Sequence, residues 1–201
     1  MNSVLFKNYS VTELQRLNNA IYKEVNGRDF ELTEMVSRLS RFTSRTLLRV
    51  RKNETERTGY HLCMMLSWLF AVANRLYPLN MHQELATHCA LTLPAETPLA
   101  EIQAEFSSRH PDVTLSYASI CLAEKVLGIA SELEYYRATH EHAHFLNMVR
   151  RMAQSIEAIC VVASLLRISL HTEHLLTFPD GKCPSCRKAP CKCGYRADKV
   201  V

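Results

Sequence analysis

Four cysteines fall within eleven residues near the end of the chain, as Cys183-Pro184-Ser185-Cys186 followed by Cys191-Lys192-Cys193. Four thiolates in so short a polar loop suit a tetrahedral zinc ion with Zn–S bonds of about 2.3 Å. The loop has few apolar side chains, so bound metal rather than burial is expected to order it. A zinc with four protein ligands has no open position and would be structural, not catalytic. The second pair is CxC rather than the commoner CxxC, which leaves a free or oxidisable thiol cluster as the competing reading. Lys182, Arg187, Lys188, Lys192 and Arg196 surround the thiols, and contact with nucleic acid is a weaker expectation from them.

Residues His140-Glu141-His142-Ala143-His144 contain an HExxH spacing. On one helix His140 and His144 would share a face and could hold zinc, with Glu141 as general base of a zinc hydrolase. No third ligand stands out; Glu157 and Glu173 are the nearest guesses. Nine histidines make a chance match common enough that a hydrated, His-rich turn between helices is the favoured alternative. A third group, Arg38, Arg41, Arg45, Arg49, Arg51 and Lys52, forms one basic helix face. It reads first as a solvated surface and second as a phosphate site.

The elements that must position these groups are helical throughout. Residues 60–85, YHLCMMLSWLFAVANRLYPLNMHQEL, hold the longest apolar run. Leu62, Met65, Leu66, Leu69, Phe70, Ala73 and Leu76 recur there at helical spacing, giving one wide apolar stripe. Pro78 and Asn80 break that helix, and a shorter one starts at Met81. A related pattern returns at 152–176, MAQSIEAICVVASLLRISLHTEHLL. Upstream, Ser10-Val11-Thr12-Glu13 offers an N-cap to a helix that Gly27 is expected to stop. Helices are also expected over 31–52, 99–107, 115–137, 148–166 and 171–176, with a polar turn at 53–59 and a proline joint at 93–98. Long alternating β-branched runs are absent, so the class is all-α.

At 201 residues and 47% hydrophobic content the chain can bury a substantial core in one or two units. A net charge of +4 permits a polyanionic partner without arguing for one. The first ten residues carry no apolar core of a signal peptide, and no apolar run reaches the length of a membrane span. Cys63, Cys89, Cys121 and Cys160 lie in apolar helical patterns as expected reduced, buried thiols. A cytoplasmic location is the matching expectation.

The two halves can be laid over one another. Leu32-Thr33-Glu34-Met35-Val36 falls on Leu122-Ala123-Glu124-Lys125-Val126, and Ala73 and Leu76 fall on Ala163 and Leu166. After a one-residue slip, Met81-His82-Gln83-Glu84 falls on Leu170-His171-Thr172-Glu173. The expected organisation is a helical unit at 1–92, a second at 99–178 and a Cys-rich tail at 179–201. Each unit would be a helical hairpin plus a short helix, the two closing a four-helix core.

The segment MLSWLFAVANRLYPLNMHQEL resembles the MazG-like, all-α nucleoside triphosphate pyrophosphohydrolase family, which has a helix of the type VLWYLFALANRLGIDLEEAL. LAEKVLGIASELE, at 122–134, is similar to the family's preceding helix, LAEEVGELAEAL. The resemblance covers roughly two thirds of the chain, with WLFAVANRL its most specific part. It implies hydrolysis of a nucleotide between the α and β phosphates with magnesium held by carboxylates, in dimers or fused tandem units.

Magnesium demands near-octahedral oxygen ligands, and its bound water would attack while the ions neutralise phosphate charge. The family supplies ligands as EExxE on one helix and ExxD on the next. In the first half those positions read Glu34, Met35 and Arg38, then His61 and Met64. In the second they read Glu124, Lys125 and Gly128, then Arg151 and Gln154. One carboxylate survives per half, and Met, Arg, Lys and Gln cannot hold a hard dication by charge. The expected role is therefore binding of a nucleotide or protein partner through a degenerate site, with Arg38, Arg41 and Arg151 as a remnant phosphate pocket. The competing expectation is an active pyrophosphohydrolase with magnesium on Glu34 or on Glu124 joined by Glu132 and Glu134, completed across a homodimer interface.

Overall fold

The computed structural model describes residues 8–52, 54, 57–76 and 79–193. Pro78, parts of the expected turn at 53–59, Arg196 and the end of the expected tail lie outside them, as do residues 1–7.

Local capping chemistry sets where the helices begin. The Ser10 hydroxyl accepts from the Glu13 amide at 3.3 Å while the Glu13 carboxylate accepts from the Ser10 amide at 2.9 Å. That reciprocal box starts α1, Val11–Asp29. Gly27 does not end α1; the helix continues to an extended Phe30 whose ring packs edge-on against Trp68 at 5.5 Å. Then come α2 (Leu32–Arg51), α3 (Thr58–Arg75), α4 (Met81–His88), α5 (Leu99–Ser108), α6 (Leu115–Thr139), α7 (His142–Leu165) and α8 (Leu170–Thr177). Asn80, Thr114 and Ser169 cap α4, α6 and α8 through side-chain oxygens. The apolar pattern marks α7 only from Met148, because the residues before it are exposed or half-buried and interleave histidines with Ala143, Phe145 and Leu146.

Among the described residues the chain is all-α, with one isolated antiparallel bridge between Ser10 and Pro98. Helices α3 and α7 meet at the centre and together carry about half of the core. Leu62, Met65, Leu66, Leu69 and Phe70 come from α3, and Met148, Met152, Ile156, Ile159 and Val162 from α7. Helix α2 packs on α3 and α6 on α7, with α2 against α6; α1 covers α3 and α5 covers α7. The short helices cross over: α4 sits on α7 and α8 on α3. Cys63, Cys89 and Cys160 are buried, and burial pushes all three thiols well up, which makes them poor nucleophiles. No single described helix is long and apolar enough to cross a membrane.

Candidate functional site

Each carboxylate expected to bind magnesium is engaged within the protein. Glu34 accepts from the Glu31 amide at 2.9 Å and caps the start of α2. Glu124 lies 3.5 Å from Arg151 Nη1 and 3.7 Å from Lys125 Nζ. Glu132 meets His144 Nδ1 at 2.8 Å across the α6–α7 pair. Arg151 reaches Glu124 because residue 128 is glycine: a Cβ there would fall 2.7 Å from Arg151 Cδ and Nε. The Nε of Arg151 is buried and has no hydrogen-bond partner among the described residues.

The HExxH residues do not share a helix. Helix α6 ends at Thr139, His140 turns in the left-handed region at φ 58°, Glu141 is the extended cap of α7, and of His140, Glu141 and His144 only His144 lies in a helix. The segment is the turn between helices favoured from sequence, and the chain reversal removes the one-face zinc arrangement. His140 packs edge-on against Tyr136, whereas His144 stacks on Tyr135. Of the guessed third ligands, Glu157 pairs with His110 at 3.4 Å and Glu173 lies against Gly59.

The tail cysteines do converge. Among the described residues, Cys183, Cys186, Cys191 and Cys193 are the one group of three or more potential ligands whose donor atoms gather, all within 4.8 Å of one another. The Cys183–Cys193 and Cys186–Cys191 sulfur separations are both 3.8 Å. Four ligands at 2.3 Å around a tetrahedral ion stand about 3.8 Å apart, so the donor set fits a zinc-sized ion. The loop is shaped by backbone bonds from Arg187 N to Cys183 O and from Cys183 N to Lys188 O, at 2.9 and 3.1 Å. Amides also aim at sulfur, Lys192 N at Cys186 Sγ (3.3 Å) and Cys193 N at Cys191 Sγ (3.4 Å), the kind of support that orients ligands and favours thiolate. Desolvation raises the Cys186 thiol, but the Lys192 and Lys188 amides and neighbouring thiols outweigh it and bring it down to about 6.

Burial contributes more to this loop than its composition suggests. Cys183 and Cys191 join Ile21, Val25 and Phe178 in a second apolar cluster against α1. The Cys191 amide donates to Ile21 O at 2.7 Å, and Lys192 Nζ lies 3.2 Å from Glu24. Lys182 pairs with Asp180 at 3.6 Å. Two of the basic residues around the thiols thus have acidic partners in the chain.

Two of the cavities among the described residues border candidate site residues. The first, about 250 Å³, lies among α1, α2, α3 and the cysteine loop and is lined by Tyr22, Phe30, Arg38, Tyr60 and Trp68. The Arg38 guanidinium stacks over Phe30 at 5.2 Å, and the buried Asn18 amide donates to Ser67 O and Oγ at 3.0 and 2.8 Å. The second cavity, about 290 Å³, is lined by His110, Tyr117, Cys121, Lys125, Gln154 and Glu157. Met64, Ser67, Trp68 and Ala71 line the first where Gln154, Glu157, Ala158 and Val161, each ninety positions on, line the second. No protein-family model matches this chain, and neither does any curated protein or solved structure.

Of the expected phosphate-site residues, Arg38 borders the first cavity, Arg151 is turned to Glu124, and Arg41 lines neither cavity. The aromatic lining was not anticipated from sequence. Its signal was there: Tyr60, Met64, Ser67, Trp68 and Ala71 recur on one face of α3, beside the stripe that forms the core. That face reads as core by period alone, and its partners Tyr22 and Cys183 are distant in the chain.

Proposed function

We propose that this chain is a tandem MazG-like helical protein that binds a nucleotide in the cavity among α1, α2 and α3 without cleaving it. The observation that carries this reading is the engagement of Glu34, Glu124 and Glu132 by a helix cap, two cations and a histidine. On this reading Arg151 lies where the resemblance assigns a magnesium ligand, and its fixed cation takes over the neutralisation of Glu124.

The tandem part is supported by matched packing in the two halves and by the crossed short helices. It is supported too by the cavities, whose linings include Met64 and Gln154, the positions matched to the last residue of the family's ExxD pattern. A duplicated chain of this kind would contain within itself the pairing that a dimer supplies elsewhere in the family. The first cavity is the better nucleotide site. Aromatic rings suit a base, and Arg38 suits phosphate through charge-assisted hydrogen bonds. Arg41 and Arg45 follow it at helical spacing along α2. Its volume is near the lower end of small-ligand pockets, about 300 Å³, so base and sugar would fill it and phosphates would lie towards α2.

The four tail thiols hold a structural zinc in this account, supplying a closed tetrahedral clip and no reactive position. Reduced thiols persist in the cytoplasm, the setting this reading takes. Incubating the protein with nucleoside triphosphates and magnesium tests the proposal. Binding without pyrophosphate release agrees with it, whereas catalytic turnover refutes it.

A further inference from the structure

The cysteine loop is also a wall of the aromatic cavity. Cys183, Ser185, Cys191 and Cys193 border the same space as Tyr22 and Trp68. The second cysteine pair is fixed to α1 through Ile21 O and Glu24. In the first pair Cys183 packs in the apolar cluster on α1. Ser185 and Cys186 instead lie in the turn closed by the 183–188 backbone bonds and reach the second pair through the converging sulfurs and the Lys192 amide on Cys186 Sγ. An ion at their centre would clamp the 183–188 turn, and Ser185 with it, at the cavity; without it four thiols at mutual contact have no common partner, and that part of the wall loosens.

We infer that metal in the four-cysteine loop shapes the aromatic cavity and so sets the affinity of the ligand bound there. The nucleotide identity of that ligand rests on the reading above, whereas the coupling of metal to cavity stands apart from it. The second cavity has no loop residue in its lining, so the effect is confined to the first.

Trp68 makes the test direct, because it is the only tryptophan in the chain and it lines the cavity. Its emission and its acrylamide quenching are measured in the zinc-loaded protein, after chelation, and after zinc is restored, with far-ultraviolet circular dichroism following the helices. Chelation should shift the emission to the red and raise the quenching constant at least twofold, and zinc should reverse both. Adenosine triphosphate titrated calorimetrically into the loaded and stripped forms should bind at least tenfold more weakly to the stripped one. Unchanged Trp68 emission and quenching in a stripped protein with intact helices would overturn the inference. A Trp68 response without nucleotide binding in either form would uphold the coupling and sink the nucleotide reading.

Cobalt(II) incorporated in place of zinc during expression gives a second readout that needs no stripped protein. Tetrahedral thiolate–cobalt bands should appear together with strong quenching of Trp68 relative to the zinc form. Cobalt bands with Trp68 emission unaltered would overturn the proposed closeness of metal and cavity. The variant Cys186→Ser, which removes a ligand outside the cavity lining, should reproduce the chelated state; a Trp68 signal like that of the zinc-loaded protein, in a variant shown to be metal-free, would also count against it.

Discussion

Gln15 and Gln103 make the same pair of hydrogen bonds in the two halves of the molecule. Gln15 Nε2 donates to Leu79 O at 2.8 Å and its Oε1 accepts from the Met81 amide at 3.0 Å. Gln103 Nε2 donates to Ile168 O at 2.8 Å and its Oε1 accepts from the Leu170 amide at 3.0 Å. Each glutamine, on the outer helix of its half, clamps the backbone entering the short helix that crosses to the other half. Truncating either to alanine leaves a buried amide and a carbonyl without partners, a loss of about 2–4 kcal/mol. Chemical denaturation should show losses of similar size for Gln15→Ala and Gln103→Ala; losses below about 0.5 kcal/mol would mean that the clamps are incidental.

Gly128 and Arg151 form a coupled pair. In an ordinary helix interior Gly→Ala gains about 1 kcal/mol, but here the new methyl meets Arg151 Cδ and Nε at 2.7 Å. Gly128→Ala should therefore gain little or lose stability in the natural background and recover its gain alongside Arg151→Ala. A double-mutant cycle with a coupling of about 1 kcal/mol is expected. Additivity within about 0.3 kcal/mol would show that Arg151 moves aside freely and does not depend on the glycine.

Two buried histidines predict a pH dependence. Burial lowers both His61 and His174 to about 4; Arg49, Arg45 and Arg57 add to the effect at His61, and His171 at His174. An unfolded histidine titrates near about 6.5, so between these values the unfolded chain binds protons that the folded one refuses. Stability is then complete above the upper value and is lost as pH falls from about 6.5 towards 4. Denaturation midpoints of the natural protein and of His174→Phe across this window should differ in slope by about one proton. Parallel curves would mean that His174 is already charged in the fold.

Zinc removal should be felt in the fold as well as at the metal. The purified protein should carry about one zinc per chain, and Cys183→Ser should abolish tight retention and lower the unfolding temperature. Elemental analysis beside thermal unfolding checks both. Full metal content in the variant would place the ion elsewhere.

The sequence made the all-α class legible because its apolar residues keep helical spacing, and Ser10 and Glu13 announced a helix start by chemistry that needs no tertiary information, while Asn80, read as a breaker, also caps α4. The gathering of Cys183, Cys186, Cys191 and Cys193 was legible as well, since short spacing leaves thiols few places to go. Gly27 misled because glycine permits a helix end without enforcing one. The turn between helices at 140–144 was legible too, and the left-handed His140 removes the shared face that an HExxH zinc site would need. What could not be read was pairing across the fold: Gln15 with Leu79, Arg151 over Gly128, and the cysteine loop against Tyr22 and Trp68. Those contacts depend on how helices pack, and periodicity carries no record of which faces meet.

Phosphorus-31 NMR of a nucleoside triphosphate held with stoichiometric protein and excess magnesium tests binding without cleavage most directly, because one spectrum reports both events. The account predicts shifted or broadened nucleotide resonances and no growth of a pyrophosphate signal over hours. Steady pyrophosphate formation that Glu124→Gln abolishes would contradict it, showing that Glu124 serves a working magnesium site.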